Sequence, residues 1–314
     1  MKAAKWIMRA ITTAVFCVIM AVIIISAVLG RQDRLTMKEE KKNRAKSSYV
    51  AKLLDMKKTF SSLHVQAASD MDITLKQSED GQCHVEYYDS DDVTHFVYIQ
   101  DDTLTISCLD ERIFETDFGF GDDPVITVSL PDLQYDDFTI ISQSGNITVN
   151  APLYFSKLDI EVDDGNVFVS GAGGDRVSIV TGSGDVTVAT MKAKRLSIKG
   201  DSGDFFLMNV ETDNMDIASG DGLLEGYNLS SWASQTFKTD KGDIAIEGCQ
   251  GGTMWLSSRK GNIDISLLSP KRIMVDSDNG EISVEKSAPG VYESCMARTA
   301  SGNIIIKYIT EQEE

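Results

Sequence analysis

The sequence predicts a mainly β protein: a β-solenoid (β-helix-like) of about nine 19–20-residue coils, preceded by an N-terminal transmembrane helix and a short helical stalk. Three observations carry that expectation. A glycine recurs at positions 145, 165, 184, 203, 222, 242, 261, 280 and 302, at intervals of 20, 19, 19, 19, 20, 19, 19 and 22. The residue five before each glycine and the residue two after it are apolar at every repeat, from Ile140 to Ala297 and from Ile147 to Ile304. Residues 11–30, by contrast, are one uncharged stretch. A fixed period near twenty is the mark of a stacked array, whose units bury their apolar faces only against each other.

The N-terminal elements come first. Residues 1–10 are a basic tail with Lys2, Lys5 and Arg9. The segment ITTAVFCVIMAVIIISAVLG, residues 11–30, is about 30 Å long as a helix, the thickness of a bilayer's hydrocarbon core. A signal peptide is the rival reading, but its apolar region is shorter, about 7–15 residues, and ends in an A-x-A site that is missing here. A short basic start points the body outward. Arg31, Arg34, Lys38, Lys41, Lys42, Arg44 and Lys46, just after the segment, vote the other way under the positive-inside rule. Residues 31–63 read as a basic juxtamembrane helix. From 34 to 60 they contain no Gly or Pro, and Tyr49, Leu53, Met56 and Phe60 fall at helical spacing. Such a helix either lies on anionic head groups or spaces the body from the membrane.

Residues 64–137 are expected to form leading strands that cap one end of the solenoid. MDITLKQ, CHVEYYD, THFVYIQ and TLTISCL alternate apolar and polar residues between Asp/Gly/Ser turns. Cys83 and Cys108 fall on strands that would be neighbours; they read as buried or free thiols, with a disulfide between them as the alternative. The next stretch, Asp110 to Pro124, sets Phe114, Phe118 and Phe120 among acids, as a plug over the first coil or as an aromatic binding loop.

Residues 138–309 are the solenoid repeats, followed by an acidic tail at 310–314. Each unit is strand, glycine turn, strand, second turn, with period-2 alternation in the strands. Gly145, Gly165, Gly184, Gly203, Gly242, Gly261, Gly280 and Gly302 are the turn residues, because glycine alone takes φ > 0 without strain. Repeat five offers Gly220 or Gly222. Asn146, Asn166, Asp185, Asp204, Asp243, Asn262 and Asn303 follow the glycine and would form a ladder of turn hydrogen bonds. The residue three before it is small or hydroxylic at eight of nine repeats, placed to satisfy backbone groups at the bend. The pattern therefore reads as the grammar of a fold rather than a repeated ligand motif. The competing reading is calcium, but Gly/Asp β-rolls use a nonapeptide richer in Asp. Trp232, in the irregular fifth repeat, is expected to pack over a coil end, with an exposed position as the alternative.

At VITVSLPDLQYDDFTIISQSGNITV, Val125 to Val149, with Leu130–Pro131 and then SGNI and SGDV turns, the chain resembles the DUF4097 family of "putative adhesin" β-strand repeat proteins. The resemblance covers about residues 65–308. It implies a β-helix-like body on an anchored bacterial envelope protein, at times linked to envelope stress, and it supplies no catalytic residues.

Charge narrows the function further. Residues 1–63 hold 13 Lys/Arg against 4 Asp/Glu, and the remainder holds 17 against 44. An acidic body repels phosphate backbones, so no nucleic acid is expected. His64, His84 and His95 all precede the repeats, and no CxxC occurs, so no catalytic residue, metal or cofactor is expected. Lys241, Arg259 and Lys260 form a small basic corner where other repeats carry Ser, Asp or Asn. It is the candidate contact surface for an envelope polymer, a lipid head group or another envelope protein, unless Asp240 and nearby carboxylates already neutralise it. The expectation is a membrane-anchored, non-enzymatic binding or scaffold protein with its body outside the cytoplasm. The alternatives are a cytoplasm-facing sensor and, behind it, a polysaccharide-acting enzyme.

Overall fold

Backbone alternation builds the coils, and glycine lets them stack. The computed structural model describes residues 50–67, 70–90, 93–110, 125–131, 134–285 and 292–309. None of them is helical, and all belong to one compact unit. The leading strands are β1 (Val50–Met56), β2 (Ser62–Gln66), β3 (Asp72–Gln77), β4 (Cys83–Asp89), β5 (Val93–Gln100), β6 (Thr103–Asp110) and β7 (Val125–Leu130). The coils begin with β8 (Gln134–Ser144), β9 (Ile147–Asn150), β10 (Tyr154–Asp164), β11 (Val167–Ser170) and β12 (Gly173–Ser183). In β13 (Val186–Ser202), β14 (Phe205–Asp221) and β15 (Leu224–Lys241) the ladder continues around a bend, so one strand serves two successive coils. Then come β16 (Ile244–Gln250), β17 (Thr253–Lys260), β18 (Ile263–Leu267), β19 (Arg272–Ser277), β20 (Ile282–Val284), β21 (Ser294–Thr299) and β22 (Ile304–Tyr308).

The fold is a β-solenoid, but its count and order differ from the sequence expectation. The nine glycine corners bound about eight turns, not nine coils. Nor do the layers follow chain order. β10 lies between β8 and β12, and parallel in-register pairing continues coil by coil to β17–β18. There β21–β22, the last strands of the chain, pair with β17 and β18, and β19–β20 add outside them. The other end repeats the device: β2–β3 pair with β8 and β9 on one side and with β6 and β7 on the other. The earliest strands of the stack and the last are thus each enclosed by two layers. Only β1, β4 and β5 are antiparallel. β4 pairs with β1 and β7, and β5 with β6, so these strands cover the outer layer's edges.

Inside, the two apolar columns form one continuous core. Ile140, Ile160, Ile179, Ile198, Ile217, Phe237 and Leu256 are buried, as are Ile147, Val167, Val186, Phe205, Leu224, Ile244 and Ile263. Val275 and Ile282 occupy the same columns yet keep partial exposure, because their layer is outermost. An aromatic run of Phe60, Tyr135, Phe138 and Phe155 fills the early coils, with successive ring centroids 4.7–6.0 Å apart.

Each corner glycine is held by its neighbour as well as by its own φ. An ideal Cβ on Gly184 would lie 2.2 Å from the carbonyl oxygen of Gly165. On Gly261, which has no left-handed φ, it would lie 1.9 Å from that of Gly242. Gly222, not Gly220, is the corner of repeat five, set over the Gly203 carbonyl. The Asx residues form the expected ladder along the stack, its hydrogen bonds running from coil to coil rather than to each residue's own turn. The N–H of Asp185 donates to Asn166 Oδ1 at 2.8 Å, and that of Asp204 to Asp185 Oδ1 at 2.9 Å. The inserted strands join it: Asn303 donates to Asn262 Oδ1 at 2.9 Å, and Glu281 to Asn303 Oδ1 at 2.8 Å. Most of the hydroxyl column is buried and bonds carbonyls at the bend: Ser258 donates to Gly242 and Thr299 to Gly261, both at 2.9 Å, while Ser142 and Thr181 donate to Ser144 and Ser183.

The stalk-helix reading fails where it can be examined. Residues 50–56 are strand β1, and Phe60 is buried against Tyr135. The free edge of β4 offers backbone partners along the whole of β1, which an isolated helix does not have. The stretch at 11–30 read as transmembrane and the aromatic loop at 110–124, apart from Asp110, lie outside the described residues. Among the described residues no helix is long and apolar enough to cross a membrane. Cys83 and Cys108 are not joined to each other, as the thiol reading expects: β4 and β6 are not neighbours.

Salt links tie β1 to β4. His84 Nδ1 is 2.8 Å from Asp55 Oδ1, and its Nε2 is 2.9 Å from Asp80 Oδ1. These hydrogen bonds, to Asp80 first and then to Asp55, raise the His84 pKa above its usual 6.5, while Asp80 is drawn down to about 2 mainly by His84. Lys52 caps the largely buried Asp89, which also accepts the His95 N–H at 2.8 Å. Burial alone would raise the Asp89 pKa, but the bonds from Lys52 and His95 outweigh it and lower it.

Two outcomes are expected. Gly184→Ala should lower stability more than Asp185→Ala in denaturant melts. The first incurs about 1–3 kcal/mol of backbone strain plus the clash, the second loses one hydrogen bond of about 1 kcal/mol. Gly261→Ala should also be costly despite its unstrained φ; if it is silent, close stacking is not the constraint. Because the folded His84 pKa is raised, its contribution is complete below pH 6.5 and is lost as pH rises through the raised value. Protection factors of the β1 amides, which remove the intrinsic pH dependence of exchange, should therefore fall across that rise, and His84→Gln should flatten the fall.

Candidate functional site

Two surface features stand apart from the regular wall. The first is the basic corner. Lys241 and Lys260 are direct register partners on β15 and β17, so the expected stacking occurs. Carboxylates meet two of its three cations: Lys241 Nζ is 2.8 Å from Asp221 Oδ2, and Arg259 Nη2 is 3.7 Å from Asp240 Oδ2. Among the described residues Lys260 makes no ion pair. The next layer places Ser301 beside Gly302, so the corner carries no further lysine along the stack.

The second feature is a groove of about 580 Å³ that crosses successive coils at the bend within β13, β14 and β15. Tyr154 lines one end, Glu293 lies at the other, and Trp232 stands between them at 85 % exposure. The expected packing of Trp232 over a coil does not occur. The cause is one extra residue: Thr212 pairs with Ser231 and Asn214 with Ser234, so Asp213 alone faces Trp232 and Ala233. A bulge of this kind turns a side chain out of the ladder.

The neighbouring chain is fitted to that bulge. An ideal Cβ on Gly251 would sit 2.2 Å from the Ser231 carbonyl oxygen, and one on Gly252 2.6 Å from that of Ala233. Buried Ser231 sets its hydroxyl 2.8 Å from both the Asp213 and the Ser234 carbonyl oxygens, so its one proton is shared between them. Lys271 is fully buried beneath. Its ammonium bonds the Gly251 and Gly252 carbonyls and reaches Glu293 Oε2 at 3.1 Å. Buried Gln235 closes the floor, donating to the Gln250 carbonyl and accepting from the Cys249 thiol, both at 2.8 Å. Burial pushes the Cys249 and Cys295 thiols up to about 12, so neither is a nucleophile at neutral pH.

Charges along the groove are matched in pairs. Lys192 Nζ is 2.7 Å from Glu211 Oε2, and Lys194 Nζ is 2.8 Å from Asp175 Oδ1. The Tyr154 hydroxyl donates to the same Asp175 carboxylate. The Asp175 pKa falls, chiefly through Lys194 and then Tyr154. Among the described residues no group of three or more His, Cys, Asp or Glu is placed to hold a metal ion.

Sequence reasoning missed how the second turn is made. Gly171, Thr190, Asn209, Asn228 and Gly248 recur there with φ between 52° and 75°. Gly or Asn at four of these five positions, nineteen or twenty apart, was the available signal.

The family model described as Toastrack DUF4097 matches residues 60–229, more than half of the chain. The chain belongs to this family. The match ends three residues before Trp232, so the bulge and the basic corner lie beyond it. Among solved structures, a "putative adhesin" from Bacteroides fragilis is 15 % identical, covering 84 % of this chain and 98 % of its own, at a TM-score of 0.45. A "putative lipid binding protein" from Parabacteroides distasonis is 12 % identical, covering 82 % and 96 %, at 0.42. A "putative adhesin" from Parabacteroides merdae is 14 % identical, covering 84 % and 98 %, at 0.26. No curated protein matches the chain.

A wall built to display Trp232 separates the display from the stability. Trp232→Ala should change the unfolding free energy by no more than about 0.5 kcal/mol, as for other exposed positions. Gly251→Ala should destabilise clearly, because its Cβ has no room. Urea melts of the two variants check both statements.

Proposed function

We propose that this Toastrack protein is a membrane-anchored, non-enzymatic binding module of a bacterial cell envelope, with its solenoid outside the cytoplasmic membrane. The observation that carries the reading is Trp232, a large aromatic side chain held in solvent at a groove by a bulge to which the next coil is fitted. A large exposed aromatic is informative because it gains nothing for folding where it stands. The uncharged stretch at 11–30 supports the anchor, and family membership supports an adhesin-like role. The same reading includes a link to envelope stress.

A second reading keeps the anchor and reverses the topology, making the body a cytoplasm-facing sensor. The seven Lys/Arg between 31 and 46 favour it. One experiment separates the two. Lys199 is exposed, while Cys83, Cys249 and Cys295 are buried with their pKa pushed up to about 12. Lys199→Cys in the full chain should react with a membrane-impermeant maleimide in intact cells, above the level of the parent. Labelling only after permeabilisation would establish the reversed topology. In the outward case, the full chain in detergent should be retained on isolated envelopes, and Trp232→Ala should reduce that retention.

A further inference from the structure

We propose that the Trp232 groove binds an uncharged glycan chain lying along the solenoid axis. The inference rests on the reading of the chain as an envelope binding module and names the ligand of that module. The axial direction follows from register. Tyr154, Gly173, Lys192, Glu211, Ser230 and Gln250 are successive partners on adjacent coils, so the groove is a column repeated at about 4.8 Å rather than a closed pit. An open, repeating groove suits a polymer with a repeating unit better than a compact small molecule.

The side chains choose the polymer's chemistry. The exposed indole offers a flat face with negative π density, which the C–H face of a pyranose ring complements. Around it stand Glu211, Asp213 and Glu293, acceptors for sugar hydroxyls, with Lys192 as a donor. A few placed polar groups about an aromatic platform are what orient a ligand in a groove. Charge excludes the alternatives. Lys192, Lys194 and Lys271 are already met by Glu211, Asp175 and Glu293. Residues 64–314 hold 44 acidic against 17 basic side chains. A polyanion would face this acidic body, where each described lysine at the groove already holds a carboxylate. An extended peptide would seek an open strand edge, and here every strand in the column is paired on both sides.

The test is titration calorimetry of the full-length chain in detergent. The probes are neutral hexasaccharides of β-linked glucose, β-linked N-acetylglucosamine and α-linked glucose, with poly-glycerol phosphate and an unstructured polar peptide as competitors. At least one hexasaccharide should bind. Trp232→Ala should weaken it about tenfold or more, as removal of a central aromatic anchor does. Trp232→Tyr should restore part of the loss, and Trp255→Ala, outside the groove, should have no effect. No binding by any hexasaccharide, binding indifferent to Trp232→Ala, or preference for the polyanion or the peptide would each overturn the proposal. If the hexasaccharides fail while the chain is still retained on isolated envelopes, the glycan assignment falls and the binding-module reading stands. If both fail, both fall.

Discussion

The structure depends on one close approach, that of a corner glycine's Cα to the carbonyl oxygen of the corner before it. Wherever an ideal Cβ is built on this column, from Gly145 to Gly280, it falls 1.9–2.3 Å from a backbone oxygen of the neighbouring coil. No other side chain fits, whatever φ the residue takes. That proximity sets the spacing of the bends, brings each Asx carboxamide or carboxylate within reach of the next coil's N–H, and lets buried Ser and Thr hydroxyls close on corner carbonyls. Local turn chemistry and long-range stacking are therefore the same contact seen from two sides.

The architecture was largely legible in the sequence because a solenoid repeats its constraints in register. Period-2 alternation gave the strands, the apolar columns gave the core, and the glycine interval gave the coil. The order of the layers was not legible. Every coil offers the same ladder of N–H, C=O and Asx groups, so local pattern does not say which coil lies on which. Gly302 stacks on Gly261, and Gly280 stacks outside Gly302. The sequence hinted at this only by a last interval of 22. The helix reading of 50–56 failed for a related reason. Leu53 and Met56 fit helical spacing, yet an unpaired edge on β4 outweighs a weak local preference.

The candidate site was less legible because it arises from a departure from the repeat. The columns mark the fifth unit as irregular, but a bulge and a misplaced glycine look alike until pairing is known. Trp232 is turned outward because Asp213 faces two residues. The compensations lie elsewhere in the chain, at Gly251–Gly252 and at Lys271. The basic corner shows the opposite case. Its lysines were correctly placed side by side, but the carboxylates of Asp221 and Asp240, one coil below, belong to the same surface.

The placement of β2–β3 and of β21–β22 between other layers has a mechanical consequence. A pull on the N-terminal side of the chain reaches β1 first, a strand paired only with β4, which can peel one bond at a time. It then reaches β2, which has β6 on one side and β8 on the other, both parallel to it. To release β2, two ladders must shear together while Leu63 and Val65 leave the core. A pull from the C-terminal side meets β22 between β18 and β20 in the same way. An ordinary solenoid under tension can unwind from its terminal coil. This one has a strand clamped between two parallel neighbours near each end, so force along the chain is resisted once it reaches β2 or β22.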